Sequence, residues 1–175
     1  MTDLATFDRM PVAESAELLR ACCGSRRWVE QMLSRRPFGA VGAVLATADD
    51  IWNELGPADW REAFAHHPRL GESESAAPQG ERAQAWSSGE QAGMADTDAV
   101  VRAKLADANV AYEARFGYIC IICATGLSTA EVLALTEERL ANGPADELPI
   151  AAEEQRKITR LRLLKLFHDP PKAAP

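Results

Sequence analysis

Two histidines stand side by side in "FAHHPRLGE", residues 64–72, immediately before a proline. An imidazole titrates close to neutrality and is the usual side chain for moving protons at physiological pH. Neighbouring residues on a helix point about 100° apart, so at most one of His66 and His67 faces any single pocket. A helix C-terminus also welcomes a positive ring through its dipole, which is the ordinary structural reason to find histidine there. Pro68 tilts the balance toward chemistry: it fixes the backbone just after His67 and holds that ring in place.

A second set lies in "WSSGEQAGM", where Ser87, Glu90 and Gln91 are spaced i, i+3 and i+4 and share one helix face. Hydroxyl, carboxylate and amide together suit a small molecule rich in donors and acceptors. A solvated helix face gives the same spacing. Gly89 and Gly93 flank the set, however, and glycine inside a helix costs roughly 1 kcal/mol relative to alanine, a cost that close approach of another group explains. Late in the chain, Arg162 sits between Leu161 and Leu163. A surface arginine burying only its stem fits that pattern; a guanidinium turned inward needs an anion, and a carboxylate would be gripped by two parallel hydrogen bonds.

Cys120-Ile-Ile-Cys123 has redox or half-zinc spacing, but no second Cys/His pair with metal spacing accompanies it. These thiols read as small buried hydrophobes. Cys22 and Cys23 are adjacent and rarely bridge each other, so no structural disulfide is expected. A metal-dependent hydrolase built on His66, His67 and Glu72 is a rival that spacing disfavours, because adjacent histidines diverge. No metal is expected.

These groups must be positioned by helices. Periodic apolar residues predict helices over 12–23, from a Ser25 cap to Pro37, and over 40–55. Pro57 suits the first turn of "PADWREAFAHH". Helix resumes over 81–94, a long helix capped by Asp96 or Thr97 covers 98–115, and "STAE" is a capping box of Ser128 with Glu131. That helix stops at "NGP", and a last one spans about 150–167. "GYICIICATG", residues 117–126, is a short apolar run bounded by glycines, either a buried extended piece or a buried helical turn. The expectation is an all-α, single-domain bundle of about seven to nine helices over residues 1–175, with 169–175 a flexible tail.

Bulk properties narrow the function classes. Hydrophobic residues make up 47% of the 175, enough for a real core. A net charge of -7 without any basic block argues against nucleic acid. No apolar run is long enough to span a bilayer. The N-terminal stretch lacks the order of a signal peptide, and "HDPPKAAP" carries no address tag, so a cytoplasmic protein is expected.

Taken together, "HHPRLGE", "WSSGEQAGM", "RFGYICIICATG" and the late "LRL" resemble, in order, the motifs of the 2-oxo-4-hydroxy-4-carboxy-5-ureidoimidazoline (OHCU) decarboxylases of urate breakdown. The resemblance runs from "RRPFGAVGAVLATADDIW" through the last helix. It implies an all-α bundle, often a homodimer, that needs no metal or organic cofactor and forms (S)-allantoin and carbon dioxide. By the resemblance His67 is the catalytic acid/base, beside Pro68, and Glu90 has a catalytic role. Ser87, Ser88, Gly89, Glu90 and Gln91 hold the substrate. Cys120, Ile121, Ile122, Cys123 and Ala124 line the pocket, largely through backbone groups, and Arg162 binds an anionic or carbonyl oxygen. An aromatic residue often stands in this family where this chain has Cys120. The alternative from another class is a non-catalytic helical interaction module, which predicts no enclosed polar pocket beside His67.

Overall fold

Polar side chains start four of the helices in the manner their positions dictate. Asp3, Ser25, Asp98 and Ser128 each accept a backbone N–H from the first turn that follows, satisfying donors that have no partner inside the helix. The computed structural model describes residues 2–72, 80–94 and 98–167. Among these the chain forms nine α-helices and no strand. They are α1 (Leu4–Arg9), α2 (Val12–Cys22), α3 (Arg26–Ser34), α4 (Val41–Glu54), α5 (Pro57–Phe64), α6 (Glu81–Glu90), α7 (Ala99–Phe116), α8 (Thr129–Arg139) and α9 (Pro144–Leu166), with a 3-10 turn at Ala92–Met94 between α6 and α7. The all-α architecture is the one the sequence led us to expect. The proposed tail, 169–175, lies outside the described residues.

Three details depart from the sequence reading. A short helix, α1, precedes the first one expected. Asp98, not Asp96 or Thr97, caps α7, its Oδ1 accepting the Val100 N–H at 2.8 Å; residues 95–97 lie outside the described set. The last helix begins at Pro144 rather than near 150 and continues through Pro149. Proline inside a helix removes one hydrogen bond and strains the turn before it. That turn survives because it carries Glu147, which is fully buried and bonded to side chains of α7, α8 and the connection after α8.

The longest helix, α9, packs against α2, α4 and α5, while α7 and α8 pair with each other. Two indoles tie the layers together: Trp28 Nε1 donates to the Ala48 carbonyl at 3.2 Å and Trp52 Nε1 to that of Ala152 at 3.0 Å. Each ring thereby buries its apolar body without orphaning its N–H.

The glycine-bounded run is neither helix nor strand but an irregular connection between α7 and α8. It leaves α7 at Gly117 (φ +77°) and turns toward α8 at Gly126 (φ +86°), left-handed conformations that cost glycine no steric penalty. Between them Tyr118, Cys120, Ile121, Ile122 and Ala124 are buried.

Candidate active site

His67 is placed by the abrupt end of α5. Its N–H bonds the Phe64 carbonyl at 3.0 Å in a closing turn, and the buried Pro68 carries the chain away. The side chain is only 7% exposed. Burial, helped by the nearby positive charge of Arg162, pushes its pKa well below the ordinary 6.5, against a weaker opposing contribution from Gln155. The folded protein therefore holds a neutral imidazole at pH 7. His66 does not line the cleft of His67 and Glu90: its Nδ1 lies 2.9 Å from the Glu62 carbonyl, and with His67 and Arg162 it borders a second cavity against α2 and α6.

His67 and Pro68 form one wall of a small cleft that is open at its mouth. The wall from α6 brings Ser87, Glu90 and Gln91, the face expected from their spacing. Glu90 is held by α9: Arg162 Nε reaches its Oε1 at 3.0 Å and Nη2 its Oε2 at 2.8 Å, while Lys165 Nζ lies 3.2 Å from Oε1. Arg162 Nη2 also donates to Ser87 Oγ at 3.0 Å, and Nη1 to the Ala21 carbonyl at 3.2 Å. The guanidinium thus lies behind Glu90 and Ser87 as their clamp and is not itself among the residues lining the cleft. The anion that an inward Arg162 requires is supplied by the protein. Gln91 Oε1 accepts the Gly71 N–H at 2.7 Å, tying α6 to the loop that follows His67.

The third wall is the irregular segment between α7 and α8, which contributes Cys120, Ile121, Ile122, Ala124 and Thr125. Burial pushes the Cys120 thiol up to about 11, so it lines the cleft as a neutral group. Leu70, Ile158 and Leu161 complete the apolar lining. Sequence reading did not single out these three or Thr125, although Ile158 and Leu161 lie within one turn of Arg162 on the same helix.

Several residues named from the sequence lie elsewhere. Ser88 is exposed, its hydroxyl turned back to the Gln84 carbonyl at 3.1 Å, and Gly89 is exposed beside it. Neither lines the cleft, because successive residues of α6 face different sides. Cys123 is half-buried and contributes its N–H to Glu154 Oε2 at 2.8 Å rather than to the cleft wall. Of the two glycines flanking the α6 set, Gly93 fits the close-approach argument, since a Cβ there would stand 2.6 Å from the Leu127 carbonyl oxygen. Gly89 has open space around it and does not.

The arrangement is suited to proton transfer on a bound polar molecule: an imidazole and a fixed carboxylate line one recess. Among the described residues no three His, Cys, Asp or Glu side chains gather closely enough to hold a metal ion, and no helix is long and apolar enough to cross a membrane.

Comparison with known proteins places the chain in context. Residues 8–164 match the model of a family described as OHCU decarboxylase. The uric acid degradation bifunctional protein TTL of Arabidopsis thaliana is 42% identical over 154 residues, which cover 87% of this chain and 47% of the plant protein. The 2-oxo-4-hydroxy-4-carboxy-5-ureidoimidazoline decarboxylase of Amia calva is 40% identical over 80 residues, 46% of either chain. The chain spans about half the length of the curated relatives it matches. Among solved structures, an OHCU decarboxylase crystallised in the presence of (S)-allantoin superposes with a TM-score of 0.76 at 40% identity, covering 87% of this chain and 99% of that one. An (S)-allantoin synthase gives a TM-score of 0.71 over 95% of this chain and 54% of its own, and at 19% identity it shares the fold.

Proposed function

The chain belongs to the OHCU decarboxylase family, and from that premise we propose that it is a carboxy-lyase of urate breakdown. Its reaction converts 2-oxo-4-hydroxy-4-carboxy-5-ureidoimidazoline to (S)-allantoin and carbon dioxide, without metal or organic cofactor. The observation that carries this reading is the buried imidazole of His67 sharing one largely apolar recess with Ser87, Glu90 and Gln91.

Losing carbon dioxide leaves an electron pair on carbon, and that pair needs a sink. The substrate supplies one in the ring C=N next to the departing carboxylate, and the nitrogen that takes the pair is protonated from solvent. Neutral His67 takes the proton of the substrate hydroxyl as that oxygen becomes the ring carbonyl of the product. The imidazolium so formed is disfavoured by burial and by the Arg162 cation, and it therefore gives its proton readily to the adjacent carbon. Delivery from one fixed side sets the S configuration. Glu90, immobilised by Arg162 and Lys165, assists charge movement, and Ser87, Gln91 and the backbone of 120–124 hold the ring and the ureido group. Arg162 acts through the residues it holds, fixing Glu90 and Ser87 in the wall of the recess. A direct grip on the carboxylate would stabilise the ground state and slow its departure, since only interactions that strengthen in the transition state accelerate the step.

Residues 1–175 act in this proposal as one domain, assembled as a homodimer in the cytoplasm. Exposed Val100 and Val110 on α7 suit an interface, and four free cysteines, three of them buried, suit a reducing compartment. The decisive assay adds freshly generated substrate and follows its ultraviolet absorbance together with circular dichroism. Spontaneous decay gives racemic allantoin, so accelerated loss of absorbance with growth of an optically active product is the expected result. Racemic product at the uncatalysed rate would overturn the proposal.

A further inference from the structure

The wall of the cleft formed by residues 120–125 poses a structural problem: its backbone lies in no helix or strand, yet most of it is buried, and buried peptide groups must find hydrogen bonds. Two side chains from outside the cleft supply them. Arg139 Nη1, at the end of α8, donates to the Ile121 carbonyl at 2.6 Å, and Glu154 of α9 accepts the Cys123 N–H. Arg139 is itself 7% exposed and is held by Glu147, which is fully buried. Arg139 Nε reaches Glu147 Oε1 at 2.7 Å, and Asn142 Nδ2 donates to Oε2 at 2.7 Å. The Tyr112 hydroxyl donates to Glu147 and accepts from Arg139 Nη2.

A trans peptide points its C=O and N–H in opposite directions. With the Ile121 carbonyl drawn toward Arg139, the N–H of the same peptide, which belongs to Ile122, is turned the other way. Ile121 and Ile122 both line the cleft and Arg139 does not. The Ile122 N–H has no partner among the described residues. We propose that Arg139 and Glu147 are positioning residues of the site: the buried pair clamps the 121–122 peptide so that the Ile122 N–H is a fixed donor to an oxygen of the bound ring or ureido group. This rests on the function proposed above. It also explains why a buried ion pair, which apolar residues often replace without loss of stability, sits one peptide behind the cleft wall.

Two variants test the clamp. Arg139→Lys keeps the charge beside Glu147 but loses the planar fork needed to reach Glu147 and the Ile121 carbonyl together. The double variant Arg139→Met/Glu147→Leu removes the pair without leaving a lone buried charge. In both, KM for substrate and the dissociation constant for (S)-allantoin should rise about tenfold, the loss of one hydrogen bond, while kcat stays within about threefold. In 15N-labelled wild type, (S)-allantoin should shift the Ile122 amide resonance, and in Arg139→Lys that shift should vanish. A purely structural pair would lower the thermal midpoint and leave KM and the amide response of the folded protein unchanged, which would overturn the assignment. Failure of both variants to fold would do the same by assigning the pair to folding. A wild type that neither turns over substrate nor binds (S)-allantoin would remove the proposed function and this proposal with it. A fully active wild type beside unaffected variants would remove only this one.

Discussion

Arg162 grips Glu90 through two nitrogens, Nε and Nη2, one to each carboxylate oxygen, and both side chains are buried. The two residues come from α9 and α6, so the pair fastens the wall of the cleft to the longest helix of the bundle.

Breaking that grip should cost both stability and turnover. Arg162→Gln leaves the carboxylate buried beside Lys165 alone, and loss of one partner of a buried pair typically destabilises by about 3–5 kcal/mol. Lys165→Met removes a cation that is 39% exposed and should cost at most about 1 kcal/mol. Thermal or urea unfolding of the two variants measures the contrast. Equal losses would show that the guanidinium fork is not the main fastening.

For His67→Asn the expected outcome is loss of catalysed allantoin formation with an unchanged far-UV circular dichroism spectrum. Wild-type turnover in this variant would remove His67 from the chemistry. Glu90→Gln keeps the size of the side chain, and from the sequence alone its effect should fall on rate rather than folding. The ion pair with Arg162 revises that expectation: thermal stability should decline as well, because Arg162 loses its counter-charge. Near-normal activity would leave Glu90 as a binding group only.

The depressed pKa of His67 sets the direction of a pH effect. Above 6.5 neither the folded nor the unfolded chain protonates this ring appreciably, and the contribution to stability is fully present. As pH falls below 6.5 the unfolded chain binds a proton that the folded chain refuses, so stability declines until the folded ring titrates. Unfolding midpoints measured from pH 7.5 downward should therefore fall less steeply in His67→Asn than in wild type. Parallel curves would contradict a buried neutral imidazole. For the same reason the acid limb of kcat/KM should lie below pH 6.5.

Thiol accessibility gives an independent check on packing. Burial raises the pKa of all four cysteines, and Cys22, Cys23 and Cys120 are at most 3% exposed. Ellman's reagent should find no more than one fast thiol in the native protein, Cys123, and all four after denaturation. Rapid native labelling of two or more would show a looser core.

Much of the scaffold was legible in the sequence because its signals are local. The Ser128/Glu131 box, the Ser25 cap and Pro57 at the start of α5 each act within one helical turn, and each helix starts where they indicate. The start of α9 was not legible, because buried contacts to Glu147, one of them from Tyr112 on α7, override the breaking tendency of Pro149. The same distinction holds at the site. Spacing alone placed Ser87, Glu90 and Gln91 on one face. It gave no means of showing that Arg162 turns to Glu90 rather than to the open cleft, since that depends on how helices separated by the whole of α7 and α8 are stacked. Ser88 and Gly89 came with the motif as neighbours in sequence, and helix geometry takes them to the other side.

The cleft draws its walls from α6, α9, the turn after α5 and the irregular run before α8, so no short contiguous fragment of the chain carries a complete set. Turnover is therefore the last property to return on refolding and the first to be lost on partial opening. That makes it a more sensitive gauge of intact topology than helical content, which separated helices in a loosened bundle would largely preserve.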